Sequence, residues 1–349
     1  KNLASFSLNN FGKVYHSPHS YNNKFGVPLS IANLRKNTEY GVFEIGMSKK
    51  GEIDQLSRIV KPDIGIITNI SEAHIENFNS LKSIASAKSE IINNISSQGC
   101  VILNKDGKFF SFLSRKAMKR KINVISFGHK NKADIFLSNI KKIKNFYKLK
   151  INIKEKIFYF KIKYPENNFI NNILACISIL FVLDLNLKKM EKNFIDFQIP
   201  EGRGDVKIVS MFNKKLKFID ESYNANPLSM ISAIKNMHNF DRKRNQKKIV
   251  FLGDMLELGK KSKKLHKQLS NKINVSDIDK VFVYGKYIRE TFNSLTKDKK
   301  GKIFKNLKEA HNHIGKIVHN NDLLMVKGSN ATGLNQFSKN IKRGYICAL

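Results

Sequence analysis

Residues 217–238 read KFIDESYNANPLSMISAIKNMH, and this stretch decides the architecture. Lys217–Asp220 is a short apolar run that ends in two acids, Asp220 and Glu221. A dense polar loop follows through Ser222, Tyr223, Asn224 and Asn226. Pro227 then stands where a first helical turn tolerates it, because no N–H is needed there. Apolar residues at helical spacing carry a helix over Met230–His238. A strand that opens into a polar loop and then a helix is half of a βαβ unit, and such units keep their working residues at the carboxyl ends of strands.

The alternation continues downstream. Strands are predicted at Lys248–Leu252, Lys280–Tyr284 and Leu323–Val326, with helices at Lys263–Ile273 and Lys308–Val318,. These imply a parallel, doubly wound, Rossmann-like sheet. Upstream, Val42–Ile45 and Ile64–Ile70 read as short strands and Ser80–Ile95 as a helix. From Asp134 to Lys163 the pattern shifts to alternating runs (IFLSNI, FYKLKINI, IFYFKIKY), which predict antiparallel strands at a sheet edge or in a subdomain,. Asn168–Leu185 returns to helix. The stretch Asn186–Asp205, with Pro200, Gly202 and Gly204, reads as a hinge. A chain of 349 residues exceeds one ordinary core,. The expected division is residues 1–203, an α/β domain whose mostly parallel sheet carries antiparallel edge strands, and residues 204–349, the doubly wound domain.

Composition narrows the function classes. With 41% hydrophobic and 10% aromatic residues, each half can bury a core of its own,. The formal charge is +35, yet only nine of the 63 basic residues are arginines and the lysines are spread along the chain. A focused nucleic-acid patch would favour arginine, so no nucleic-acid partner is expected. Cys100, Cys176 and Cys347 form no CxxC pair, which suits a reducing cytoplasm. The longest apolar run, Ile173–Leu183, is closed by Asp184 and is too short to span a bilayer. A cytoplasmic monomer without membrane insertion is expected. The sequence opens with Lys1 inside a helical pattern and lacks an initiator Met, so we expect that an N-terminal portion precedes it.

Three further clusters stand where chemistry is expected. In VFEIGMSKKGEI (residues 42–53), Glu44 lies in an apolar strand, where a carboxylate needs a cation or strong donors. By itself it is open between a magnesium ligand and an acid paired with one of the many lysines. In IITNISEAHIENF (66–78), a strand runs into a loop carrying His74 between Glu72 and Glu76; a lone histidine there also fits a surface or satisfied core role. In SIASAKSEII (83–92), Lys88 and Glu90 lie on the helix that follows; in isolation Lys88 is one lysine among 54. The loop at Asp220–Asn226 could hold ribose hydroxyls with its acids and approach phosphate through its amides and helix start. An N-capping turn accounts for Asn226 and Pro227 alone.

Taken in order, these clusters resemble the Mur ligases, in their MurF branch. The matching strings are NNKFGVPLS, EIGMSKKGEI, KPDIGIITNISEAHIENFNS, SIASAKSEI, GR, IDESYNANPLSM, FLGDMLELG and VKGS, spanning Asn22 to Ser329. The loop at IDESYNANP separates this branch from the MurE branch and from folylpolyglutamate synthases. The resemblance implies an ATP-dependent ligase of peptidoglycan synthesis that adds D-Ala-D-Ala to UDP-MurNAc-tripeptide through an acyl phosphate, with ATP and Mg²⁺. It implies that Glu44 and His74 are magnesium ligands, and that Lys88 is the lysine converted by CO₂ to a carbamate that completes the metal site. Asn168, Asn171, Arg203, Asp220, Asn224 and Asn226 correspond to the nucleotide-binding positions, with Asp220 on the ATP ribose. Asn22, Asn23, Lys327 and Ser329 correspond to substrate contacts.

Some positions depart from the family pattern. His19-Ser20 stands for Gly-Asn, Asn167 for the histidine of HNxxN, and Glu221 for a second Asp. No Gly-Lys pair is followed by Ser or Thr, so no phosphate loop of the GxxGKT/S kind is present in the sequence,. Residues 1–349 alone are therefore expected not to turn over ATP. The alternatives are a related ligase of other specificity, or an inactive fragment.

Overall fold

The computed structural model of the chain describes residues 1–73, 75–129 and 132–344. It divides into two compact units, one of residues 1–70 and 77–197, the other of residues 71–76 and 198–349.

The first unit begins with α1 (Asn2–Leu8), β1 (Val14–His16), α2 (Gly26–Ala32), β2 (Tyr40–Val42), α3 (Glu52–Val60) and β3 (Ile64–Ile67). It continues with α4 (Leu81–Lys88), β4 (Cys100–Asn104), α5 (Phe110–Lys119), β5 (Asn123–Gly128), β6 (Ile135–Ile143), β7 (Phe146–Ile153), β8 (Lys156–Ile162) and α6 (Asn167–Val182). Strands β1 and β2 pair in parallel as a small sheet, and the other six run in the order β3-β4-β5-β6-β7-β8. Pairing is parallel from β3 to β6 and antiparallel from β6 to β8. The expected change of pattern at Asp134 is thus the point where the sheet changes direction. The apolar run on α6 packs Ile173, Leu174, Ile177 and Leu180 into the core with Ile102, Phe127 and Phe160. Cys100 and Cys176 are buried there, and burial pushes their thiols up to about 11 and about 12.

Two sequence expectations shift in this unit. Strand β2 ends at Val42, so Glu44 lies in the loop beyond it and not inside a strand. The helix expected over Ser80–Ile95 ends at Lys88, with a 3-10 helix over Ser89–Asn94.

The second unit contains β9 (Asp205–Met211), β10 (Lys214–Glu221), α7 (Pro227–Asn239), β11 (Lys248–Gly253), α8 (Ser262–Asn274) and β12 (Lys280–Tyr284). It is completed by α9 (Arg289–Asn293), β13 (Lys300–Ile303), α10 (Leu307–Ile317), β14 (Leu323–Lys327) and α11 (Leu334–Arg343). The sheet order is β13-β12-β11-β14-β10-β9, parallel except for the β9–β10 hairpin. The order reverses between β11 and β14, the kind of place where open α/β sheets receive ligands. Residues 198–203 fall with this unit, whereas the sequence division lay after residue 203. The backbone accounts for the difference: Gly202 donates to Asp205, Gly204 to Asp220, and Tyr223 to Gly202.

Among the described residues, no helix is long and apolar enough to cross a membrane.

Candidate active site

In the first unit the loop after β2 and the end of α4 meet. Glu44 is partly buried; its Oε1 accepts from the Asn22 side chain at 3.0 Å, and its backbone N–H donates to Ser17 Oγ at 3.3 Å. Lys88 stands at the last position of α4, which Ser80 caps by accepting from Ser83 N–H. Burial drives the Lys88 pKa down, and the nearby Glu44 charge opposes it. The amine is thereby brought closer to neutral, the form in which a lysine is a nucleophile. A strut fixes this geometry. Buried Glu90, two residues past Lys88, accepts from Gly51 N–H at 2.9 and 3.0 Å and from Asp54 N–H at 3.2 Å. It caps α3, the helix that follows the Glu44 loop, where a carboxylate is favoured.

Glu44, held by Asn22, offers a carboxylate oxygen of the kind magnesium prefers,; among the described residues no group of three His, Cys, Asp or Glu gathers to hold a metal. His74 lies outside the described residues. Asn23 lies just before α2, its Oδ1 accepting from Phe25 and Gly26 N–H. Asn168 is exposed in the first turn of α6. Asn171, one turn on, lies 3.1 Å from His129 Nε2.

In the second unit the loop after β10 is held from several sides. Strand alternation puts Phe218 and Asp220 on one face, and Asp220 is only 1% exposed. Its Oδ1 accepts from Ser222 N–H and Oγ–H, and its Oδ2 lies 2.8 Å from Lys342 Nζ. Both oxygens are committed within the protein, whereas Glu221, on the other face, is partly exposed. Lys327, the register partner of Glu221 on β14, is 2% exposed. Its ammonium donates to Asn224 O at 3.0 Å and to Glu221 Oε2 at 3.2 Å. Ser329 accepts from Leu256 N–H at 3.0 Å and donates to Ala225 O at 3.3 Å. Lys327 and Ser329, expected as substrate contacts, are thus occupied in fastening this loop. Asn226 caps α7 in a capping box with Ser229,. Asn224 is exposed and accepts from Ala225 N–H. Arg203 is exposed and lies over the Tyr223 ring at 4.1 Å,.

Sequence reasoning missed three residues of this frame. Asp254, at the end of β11, accepts from the N–H groups of Lys286, Tyr287 and Ile288 and fixes the turn after β12. His266 is fully buried and accepts from Met255 N–H. Lys342 binds Asp220 from α11. The first lay in a quoted string, FLGDMLELG, whose partner is far along the chain; the other two carry no local signal.

Known proteins resemble this chain along most of its length. Residues 2–180 match the Mur ligase middle domain and residues 206–330 match the Mur ligase, glutamate ligase domain. The UDP-N-acetylmuramoyl-tripeptide–D-alanyl-D-alanine ligase of Rickettsia prowazekii is 33% identical over 327 residues, covering 93% of this chain and 71% of the relative. The ligase of that name from Buchnera aphidicola (subsp. Baizongia pistaciae) is 31% identical, covering 99% and 73%. Among solved structures, MurF from Acinetobacter baumannii superposes with a TM-score of 0.86 at 24% identity, over 98% of this chain and 73% of that one. MurF of Thermotoga maritima, solved with ADP, gives 0.81 at 24% identity, over 99% and 77%. The matched domains stand in the same order as the two units, and identity of 31–33% extends over most of the chain; the chain belongs to the Mur ligase family, on its MurF branch.

Proposed function

We propose that this chain is an ATP-dependent peptide ligase that joins D-Ala-D-Ala to UDP-MurNAc-tripeptide in cytoplasmic peptidoglycan precursor synthesis. The γ-phosphoryl group of ATP passes to the terminal carboxylate of the tripeptide, giving an acyl phosphate and ADP. The amine of D-Ala-D-Ala attacks the acyl carbon, and the tetrahedral intermediate expels phosphate.

The observation that carries the reading is the nearness of Glu44 to a half-buried Lys88, whose pKa burial lowers, in a chain 33% identical to a ligase of this name. The neutral Lys88 amine adds to CO₂ and loses a proton, giving a carbamate with two oxygen acceptors. Glu44, His74 and that carbamate would hold Mg²⁺, which when bound neutralises charge on phosphate oxygens. Asn22 orients Glu44, and Glu90 keeps its loop in register with α4. In the second unit, Arg203 and the loop from Glu221 to Asn226 face the nucleotide, with Glu221 the acid of the pair accessible to a ribose. Lys327 and Ser329 hold that loop in place. Catalysis then rests on positioning.

A ligation assay tests the proposal on the enzyme as the cell makes it. With ATP and UDP-MurNAc-tripeptide, D-Ala-D-Ala should be joined, and meso-diaminopimelate or glutamate should not. Preference for either of the latter would reassign the chain to a different ligase specificity.

A further inference from the structure

A group of charges in the second unit has no part in the chemistry above. Lys342, in the last turn of α11, has a side chain only 7% exposed. Its ammonium lies 2.8 Å from Asp220 Oδ2, 3.5 Å from Asp205 Oδ2 and 3.4 Å from Glu201 Oε1. Asp205 and Asp220 are direct partners across the β9–β10 hairpin, and both are buried. Two carboxylates so placed repel, and each loses hydration. Burial, with the Asp220 charge adding to it, pushes the Asp205 pKa upward. The other cation facing the group is the exposed Lys207, 3.3 Å from Glu201.

Each acid leads into a different working segment. Asp205 accepts from Gly202 N–H at 2.8 Å, closing the turn that carries Arg203. Gly202 and Gly204 adopt φ of +76° and +98°, and a Cβ at Gly202 would come within 3.0 Å of Tyr223,. Asp220 holds Ser222 and so the start of the loop to Asn226. Asn335, two turns before Lys342 on the same face of α11, donates to Ser222 Oγ at 3.4 Å,.

We propose that Lys342 is a positioning residue for nucleotide binding: by holding Asp205 and Asp220 side by side, it keeps Arg203 and the Glu221–Asn226 loop in one arrangement. This rests on reading those two segments as nucleotide-facing.

The test is titration of Mg·ADP into the enzyme as the cell makes it, followed by calorimetry, with circular dichroism to confirm folding. Lys342→Met should bind at least about tenfold more weakly, and Lys342→Arg should recover most of the loss. Wild-type affinity should be nearly flat from about pH 6 to 8, whereas that of Lys342→Met should improve as pH falls, because a proton then replaces the missing cation between the acids. If Lys342→Met is unfolded, the Lys342→Met/Asp205→Asn protein should still bind more weakly than wild type, because neutralising one acid relieves the repulsion without restoring the cation that bridges Glu201, Asp205 and Asp220. Arg203→Ala separates the two layers. Wild-type affinity in Arg203→Ala would remove the nucleotide reading and the proposal with it. Weakened Arg203→Ala beside unaltered Lys342→Met, or an unaltered double variant where the single one is unfolded, would remove the proposal alone.

Discussion

The side-chain amide of Asn22 donates to Oε1 of Glu44 at 3.0 Å, so a residue expected on the substrate is in contact with the acid expected on the metal. Loss of a group that orients a metal ligand typically costs about 10–100-fold in metal affinity or activity. Asn22→Ala should therefore raise the magnesium concentration needed for half-maximal ligation by about tenfold, with excess magnesium restoring the rate. A change confined to the KM for UDP-MurNAc-tripeptide would return Asn22 to the substrate.

Lys88→Ala should fold and lose ligation activity by about 100-fold or more, since a group that balances charge in phosphoryl transfer is gone. Formate or acetate should restore part of the rate by occupying the place of the carbamate. Lys82→Ala, an exposed position on the same helix, should match wild type within about 0.5 kcal/mol of stability. Full activity in Lys88→Ala without added acid would end the carbamate assignment.

Lys327→Met removes a charge partner of Glu221 and a donor to Asn224 O. Losing this half-buried pair and that hydrogen bond should cost about 1–2 kcal/mol, read as a lower denaturation midpoint. The activity defect should appear first in the affinity for Mg·ADP, because the loosened loop faces the nucleotide. A defect seen only with D-Ala-D-Ala would favour the substrate role that the family resemblance implies.

His266 gives a prediction in pH. Its Nε2 accepts from Met255 N–H at 2.9 Å and its Nδ1 lies 2.7 Å from Ser262 O, an arrangement of the neutral ring. Burial lowers its pKa below 6.5, and Asp254 and Glu290 only partly oppose this. The folded value lies below the unfolded one, so the stability gained is complete above the unfolded value and is lost as pH falls through the folded value. His266→Leu should cost about 2 kcal/mol at neutral pH by orphaning the Met255 N–H, and should flatten the decline below about pH 6. Parallel pH profiles for the two proteins, in urea unfolding, would show that other groups cause the decline.

The elements with local signals were legible in the sequence. The strand, polar loop and proline-started helix of residues 217–238 predicted the second unit's βα frame, and the alternating runs after Asp134 predicted the antiparallel extension. The motifs picked out the loops after β2 and β10, but not the direction in which each side chain is used. Asp220 and Glu221 look alike in sequence; strand alternation and the cover of α11 decide that one is buried and the other accessible. Lys327 looks like any lysine at a strand end until β14 pairs with β10 and places it against Glu221. Lys342 was not legible at all, because its acids lie more than a hundred residues away and 54 lysines hide it.

The hexapeptide of residues 71–76 belongs to the second unit although the first unit surrounds it in sequence; Glu76 N–H donates to Glu257 O at 3.1 Å. In genetic terms, no single crossover can transplant an intact second unit between related genes. A breakpoint at the junction of residues 197 and 198 would import everything downstream and leave the recipient's hexapeptide to complete it. Exchange of the second unit within the family is thereby constrained to donors whose residues at Glu257 and Gly259, where a Cβ would meet Glu76 at 3.2 Å, still accept the recipient's Glu76.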